Sequence, residues 1–537
     1  MWKNILEKDS NWRVVAILAT IFCSFMLVFS LNRFYSFYAS YDQGLFDQLF
    51  WNTIHGRWFQ GSLSSGQSSA VIADSQIHKV FYNHLGQHFV IDFILWLPIY
   101  ALFPTGATLV ILQVLLMAVA GFVLYALARH YLPANIAVLI AASYYGANTV
   151  IGPTFANFYE HCQIPLFVFS LLLALAKRNW WLFWLFVFLT LGIREDTGIV
   201  LFGFALYLIY SRRHLRLGIV LALVSFGYVI LATNVIMPLF SNDNSRLYLS
   251  EYFSKFVPGN NSPTTLQLLW GIITHPVELL KSLLTPFDRR LRYFLGHWLP
   301  LAFVPAISPP AWIITAPPLL VLLLQERRLA LGINARYALT VVPGIFYGAI
   351  LWWSHHQERF KPKVQRWWIR CIAFSLVFAI TSSPNRAFYF LIPESFIPLV
   401  HISLISQWEH VGHVRNLMKQ IPAQKSVSTG TYQLPHLATR RAIIRLPHIQ
   451  IQNDAQKIVD VDYVLADFWR EQKYKLAFKS SKNELKESVI FIDSLISQGR
   501  YGILDFSDDT ILLQKGTASG SQALNNWLKL RQEIQSS

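Results

Sequence analysis

The feature that constrains this chain most is a series of apolar runs almost free of charge. Residues 14–31 (VVAILATIFCSFMLVFSL) contain no charged side chain, over about the length a helix needs to cross about 30 Å of hydrocarbon. Further runs occupy roughly 89–103, 107–128, 134–150, 163–176, 180–193, 197–210, 215–239, 292–306, 310–325, 335–353 and 366–382. Only 14% of the 537 residues are charged, against about 25% in soluble chains, so the chain lacks the polar surface to meet water on all sides. It reads as an α-helical polytopic membrane protein. The basic excess, 45 Lys and Arg against 29 Asp and Glu, lies in short clusters beside the apolar runs, as topology signals do, and nucleic acid is set aside as a partner. Cys23, Cys162 and Cys371 have neither disulfide-type nor zinc-type spacing.

Basic-residue placement sets the expected topology. Lys3, Lys8 and Arg13 precede the first run, and Asn32, Arg33 and Phe34 follow it with no small-residue cleavage site, so an uncleaved first span with a cytoplasmic N-terminus is expected. If 89–103 re-enters or lies in the interface, then Arg129, Lys177 and Arg178, Arg212, Arg213 and Arg216, and the Arg359-to-Arg370 cluster all fall inside. If it crosses, all fall outside, against the positive-inside rule. About eleven spans follow, with the C-terminus outside. Residues 32–88 form a large first outer loop, with a helical stretch from Gln43 to His55 stopped by Gly56. Residues 241–290 form a second outer loop whose amphipathic helix suits the membrane surface.

The expected boundaries are a transmembrane domain over 1–403 and a soluble α/β domain over 404–537, where 17 basic and 13 acidic residues replace the apolar runs. Short strands are expected in KSVSTG, RRAIIRLP, VDYVLADF, YGILDF and DTILLQKG, and a helix from Asn483 to Gln498 closed by Gly499. Asp508-Asp509 fits a hairpin turn.

With the sides assigned, several polar clusters fall on the outer face: Asp42 and Asp47, His84 and His88, NFYEH with Glu160, the triplet Arg194-Glu195-Asp196, and Arg336-Tyr337. Ionisable residues at span ends are costly in lipid, and their convergence suggests one polar cavity. Asp42 fits either a helix N-cap or a general base. Asp47 lies about 140° from it around a helix, which points to a structural role. His84 and His88, four apart, could share a helix face and bind a metal, or simply begin an interfacial helix. Arg194 could bind a phosphate while a neighbouring carboxylate holds a cation or orients that arginine, or it could snorkel from a self-compensating turn. Arg336-Tyr337 is a second phosphate contact or an interfacial anchor pair. His297 and Arg386 are weaker candidates of the same kind.

The strings YDQGLFDQLFWNTIHGRWF, NHLGQHF, LPIYALFP, NFYEH, REDTG and LPHLATRRAIIRLP with DYVLADF together resemble a bacterial and archaeal family of polytopic membrane proteins designated only as a domain of unknown function. That family is similar to the GT-C superfamily of membrane glycosyltransferases, which use polyprenyl-phosphate-linked sugars. The resemblance implies a GT-C-like fold in the bacterial plasma (inner) membrane, a lipid-linked sugar donor among the membrane lipids, and Asp42 as catalytic carboxylate. Glu160, Glu195 and Asp196 become further acidic cavity residues, with Glu160 a second catalytic acid/base candidate beside Asp42. The aspartate-x-aspartate spacing of some GT-C enzymes is absent, as is the usual order around NFYEH. A divalent cation, Mg or Mn, would draw on Asp42 and Glu160. The acceptor is not specified. The competing class is a transporter or lipid-handling, partner-binding membrane protein, which the lack of an internal repeat disfavours.

Overall fold

A computed structural model describes residues 11–535, and the chain is mostly helical. Among the described residues five helices are long and apolar enough to cross a membrane: Asn11–Tyr35, Gly106–Tyr131, Leu215–Leu239, Arg336–His355 and Pro362–Thr381. Ala134–Gly146 and Asn148–Thr154 form a span-length pair bent by 44°, where Ala147 takes extended backbone angles. Ile164–Ala176, Trp180–Ile193, Thr197–Ser211 and Pro309–Leu324 are apolar helices of 13 to 16 residues.

Two expected runs behave differently from a straight span. Residues 91–102 form a 3₁₀ stretch, Ile91–Trp96, followed by the helix Leu97–Leu102. At about 1.5–2 Å per residue this is shorter than the hydrocarbon is thick. The run 292–306, expected as a span, is not one helix. Phe287–Trp298 ends in two 3₁₀ turns, Leu299–Leu301 and Val304–Ile307, separated by Ala302 and Phe303 at positive φ. Pro300 and Pro305 have no amide hydrogen to continue an α-helical ladder, which accounts for the break.

The chain divides into two compact units. One holds the described residues up to Leu31, Leu85–Trp96 and Leu109–Asn385. Its centre is built by close helix approach. A Cβ at Gly203 would collide with the Ile314 carbonyl oxygen, and one at Gly348 with Ala311, so Thr197–Ser211, Pro309–Leu324 and Val342–His355 pack through small residues as membrane helices do. In its 241–290 segment, Thr265–Thr274 opens with a capping box between Thr264 and Gln267 and is followed by Pro276–Leu284. Trp270, Ile273, Val277, Leu280 and Leu284 are exposed there, an apolar face suited to a membrane surface.

The other unit holds Asn32–His84, Leu97–Thr108 and the described residues from Arg386 onward. Its strands are β1 (His78–Lys79), β2 (Ser395–Phe396), β3 (Leu399–Val400), β4 (Val427–Thr429), β5 (Ile443–Arg445), β6 (Gln450–Gln452), β7 (Ile458–Asp460), β8 (Tyr463–Asp467), β9 (Tyr501–Ser507) and β10 (Thr510–Lys515). The main sheet has the order β5-β4-β8-β10-β9, with β5, β4 and β8 parallel and β10 antiparallel to both neighbours. All five strands fall in the strings expected to form them. Asp508 and Asp509 turn the β9–β10 hairpin with φ of 45° and 57°, conformations that aspartate tolerates better than most residues. The helix Lys479–Ser497 lays Leu485, Val489, Ile492 and Leu495 against Ile503, Ile511 and Leu513 of the sheet, at the i, i+3, i+4 spacing of a one-sided helix.

The first loop is part of this second unit. β1 pairs in parallel with β6, Ser62 Oγ donates to the Ile443 carbonyl at 2.6 Å, and Gln48 Nε2 donates to the Arg440 and Arg441 carbonyls at 3.2 Å. The helix Tyr41–Ile54 comes so close to Leu434 that a Cβ at Gly44 would lie 3.2 Å from its carbonyl carbon.

Candidate functional site

The helix Trp180–Ile193 ends where Arg194 adopts extended angles, and Thr197–Ser211 starts three residues later. Thr197 Oγ1 fastens this turn by donating to the Thr190 carbonyl at 2.6 Å and the Arg194 carbonyl at 2.8 Å. Three consecutive charged side chains are thereby held between two apolar helices. Arg194 Nη1 donates to Glu160 Oε1 at 3.0 Å, and its Nε to Glu195 Oε1 at 3.2 Å, with Asp196 Oδ1 at 3.5 Å. His88 Nδ1 shares Glu195 Oε1 with Arg194 at 3.0 Å, and the Phe89 amide donates to Oε2 at 2.9 Å. His161 Nδ1 stands 3.1 Å from Glu160 Oε1.

Arg194, Glu195 and Glu160 are all buried. Removing such ions from water costs about several kcal/mol each, offset only where the charges are closely paired and hydrogen-bonded. Burial alone would raise the Glu195 carboxyl, but Arg194 and His88 outweigh it and hold the group down at about 2. The network therefore stays ionised and rigid.

Arg336 lies beside this cluster, its guanidinium 4.0 Å over the ring of Tyr159 and 4.9 Å from that of Tyr337. The Tyr337 hydroxyl accepts from Arg336 Nη2 at 3.2 Å and from Arg327 Nη1 at 3.3 Å, and Arg327 also donates to Tyr252 at 2.8 Å. With two guanidinium donors on its oxygen, the Tyr337 hydroxyl has its own hydrogen left to donate.

These groups border a cavity of about 210 Å³. Arg194, Glu195, Asp196 and Tyr337 are among its lining, together with apolar side chains such as Val229, Leu268, Ile272 and Val321, so charged and apolar surfaces face one space.

Seven expected site residues, His88, Glu160, Arg194, Glu195, Asp196, Arg336 and Tyr337, thus lie in the first unit. Asp42 and His84 belong to the second. Asp42 is not the N-cap of its helix: Ser40 holds that position, and Asp42 sits in the first turn of Tyr41–Ile54, half-buried, accepting from Gln67 Nε2 at 3.2 Å. Asp47 is buried and accepts from the Tyr100 hydroxyl at 2.5 Å, with burial raising its carboxyl to about 7 against the pull of that hydrogen bond. The helical His84–His88 pair does not form. The 3₁₀ turn His84–Gly86 ends before His88, so four-residue spacing no longer aligns the two side chains.

His297 is buried against Tyr293, ring centroids 4.6 Å apart, and Arg386 pairs with Glu394 at 3.3 Å. Sequence reasoning passed over Asp92, Arg327 and Tyr252. Asp92 is the one charged residue in 89–103, and its buried carboxyl faces the Glu160 region; a lone acid in an apolar run was the available signal.

Among the described residues no group of three or more His, Cys, Asp or Glu side chains is disposed to hold a metal ion, Asp42 is bonded to Gln67, and Glu160 is engaged by Arg194.

A family model described as "Predicted membrane protein (DUF2079)" matches residues 33–512. The chain belongs to this family. The stretch matched to DUF2079 includes every candidate residue named above and the main sheet up to Leu512. No curated protein matches the chain. Among solved structures, the crystal structure of ArnT from Cupriavidus metallidurans bound to undecaprenyl phosphate is similar at 12% identity and a TM-score of 0.45, covering 94% of this chain and 99% of that one. This DUF2079 protein is a membrane protein by its family and by its apolar helices.

Proposed function

We propose that the protein is a GT-C-type membrane glycosyltransferase that moves a sugar from a polyprenyl-phosphate donor to an acceptor on the outer face of a bacterial plasma membrane, with the C-terminal region outside. The observation that carries this reading is the cavity of the first unit, lined by both charged and apolar side chains. A lipid phosphate needs a hydrogen-bond donor backed by positive charge, here the Tyr337 hydroxyl held by Arg336 and Arg327, beside an apolar lining for its chain.

Within this reading, Arg194 is the organiser of Glu160, Glu195 and Asp196, because three carboxylates already occupy its guanidinium. Arg336 and Arg327 bear on the phosphate through Tyr337 and Tyr252, supporting the charge that develops on the leaving group. Asp42 takes the proton from the acceptor hydroxyl. That role comes from the resemblance of the YDQGLFDQ string, and the half-buried carboxylate at the start of a helix is chemically suited to it.

The test is release of radiolabelled sugar from polyprenyl-phosphate sugars by purified protein, comparing wild type with Asp42→Asn. Loss of release with donor binding intact supports the reading. Equal release by both proteins removes Asp42 as the base, and release by neither, across several donors and with acceptor extracts supplied, favours the transport or lipid-handling class.

A further inference from the structure

The second unit contains a larger cavity, of about 920 Å³, that the glycosyl-transfer reading does not use. It opens at the carboxyl ends of the parallel strands: Gly430 and Thr431 follow β4, Arg445 ends β5 and Leu446 follows it, and Asp467 ends β8. The chain leaves β4 for β5 on one side and returns to β8 on the other. In open α/β sheets that reversal leaves a crevice where ligands bind.

Arg470 lines this cavity and is 5% exposed. Its guanidinium lies between the rings of Tyr432 and Tyr38, 3.9 and 4.2 Å from their centroids. Nη2 donates to the Phe37 carbonyl at 2.8 Å, while Nε and Nη1 are buried without a hydrogen-bond partner. A buried guanidinium with two unused donors forgoes much of the energy that a charge-assisted bond would return. Arg445 and Arg386, the latter paired with Glu394, add two further cations to the lining, which also holds Asp467, paired with His410, and Glu471.

The opposite wall is the first turns of the helix Lys479–Ser497. Ser480 and Ser481 lie at its N-terminus, where free amides favour an anion, and Asn483, Glu484 and Glu487 follow along the lining. Carboxylate and amide acceptors on that side suit hydroxyl donors. The volume exceeds the needs of a bare phosphate and falls in the range of small-molecule sites.

We propose that this cavity binds an anionic saccharide, a hydroxylated ring carrying a phosphate or a carboxylate. The anion pairs with the Arg470 guanidinium at the cavity wall with support from Arg445, and the ring hydroxyls bond to Glu484, Glu487 and Asn483. This site does not depend on the glycosyl-transfer reading.

The experiment is calorimetric titration of the full chain in nanodiscs, against empty nanodiscs, with glucose 1-phosphate, glucuronate, glucose and inorganic phosphate. Saturable binding of glucose 1-phosphate or glucuronate, tighter than both glucose and inorganic phosphate, is expected, and whichever binds tighter identifies the anion. Arg470→Gln should weaken it by about tenfold or more, the scale of a lost charge-assisted bond. Arg445→Gln changes an exposed side chain that need not disturb folding, and should weaken it by about threefold or more. Binding no tighter than that of glucose, or an affinity unchanged in Arg445→Gln, overturns the proposal.

Discussion

Two buried arginines, Arg194 in one unit and Arg470 in the other, are exposed by only 7% and 5%, yet their charges are met in opposite ways. Arg194 has three carboxylates within 3.5 Å. Arg470 has two tyrosine faces and one carbonyl, and leaves two donors unused. A guanidinium saturated by resident acids acts as framework, because any incoming anion must compete with them. One packed between ring faces, with Glu471 and Asp467 near it but not ion-paired to it, keeps donors for an anion from outside. The same residue type, equally buried, thus reads as an organiser in one place and as a ligand site in the other.

The largest expected effect breaks the framework side of this contrast. Arg194→Met leaves Glu160 and Glu195 buried without their shared cation and should destabilise the protein by about 3–5 kcal/mol, read as a lowered melting temperature in detergent. An unchanged melting temperature would show that Arg194 is not framework.

The two units should also part company with pH. Burial alone would lower His410, but Asp467 and Asp508, at 3.1 and 2.8 Å, outweigh it and raise it to about 9. Its contribution is complete below about 6.5 and is lost as pH rises through about 9, a loss of about 3 kcal/mol. Glu195, held at about 2, contributes fully above its ordinary range and loses that contribution as pH falls through about 2. Melting between pH 3 and 10 should therefore weaken on the alkaline side in the wild type, and His410→Gln should remove that limb.

Smaller effects sharpen the site. Tyr337→Phe should raise KM for a polyprenyl-phosphate sugar by about fivefold, the scale of one hydrogen bond, with the melting temperature little changed. Asp47→Asn should leave turnover near the wild-type rate and raise the melting temperature at pH 8, since a buried carboxyl raised from its ordinary range to about 7 costs stability once it ionises.

Much of this was legible before any coordinates. Apolar runs without charge marked the helices, and period-two runs bounded by turn residues marked β4, β5, β8, β9 and β10, because both patterns are local. The Arg194 triplet was legible because three charges between apolar helices must be accommodated somewhere. The parallel pairing of β1 with β6 was not, since a contact across more than 370 residues leaves no local periodicity. Nor was the Arg470 cavity, whose lining comes from strand ends and a helix start far apart in sequence. His84 and His88 misled because their spacing has meaning only within an α-helix.

The central claim, that the cavity beside Arg194 holds the phosphate end of a lipid carrier, is tested most directly by photocrosslinking. A photoreactive polyprenyl phosphate should label peptides from 229–272 and 318–340, and unlabelled polyprenyl phosphate should suppress the labelling while neutral polyprenol does not. No labelling of those segments, or equal suppression by both competitors, would contradict it.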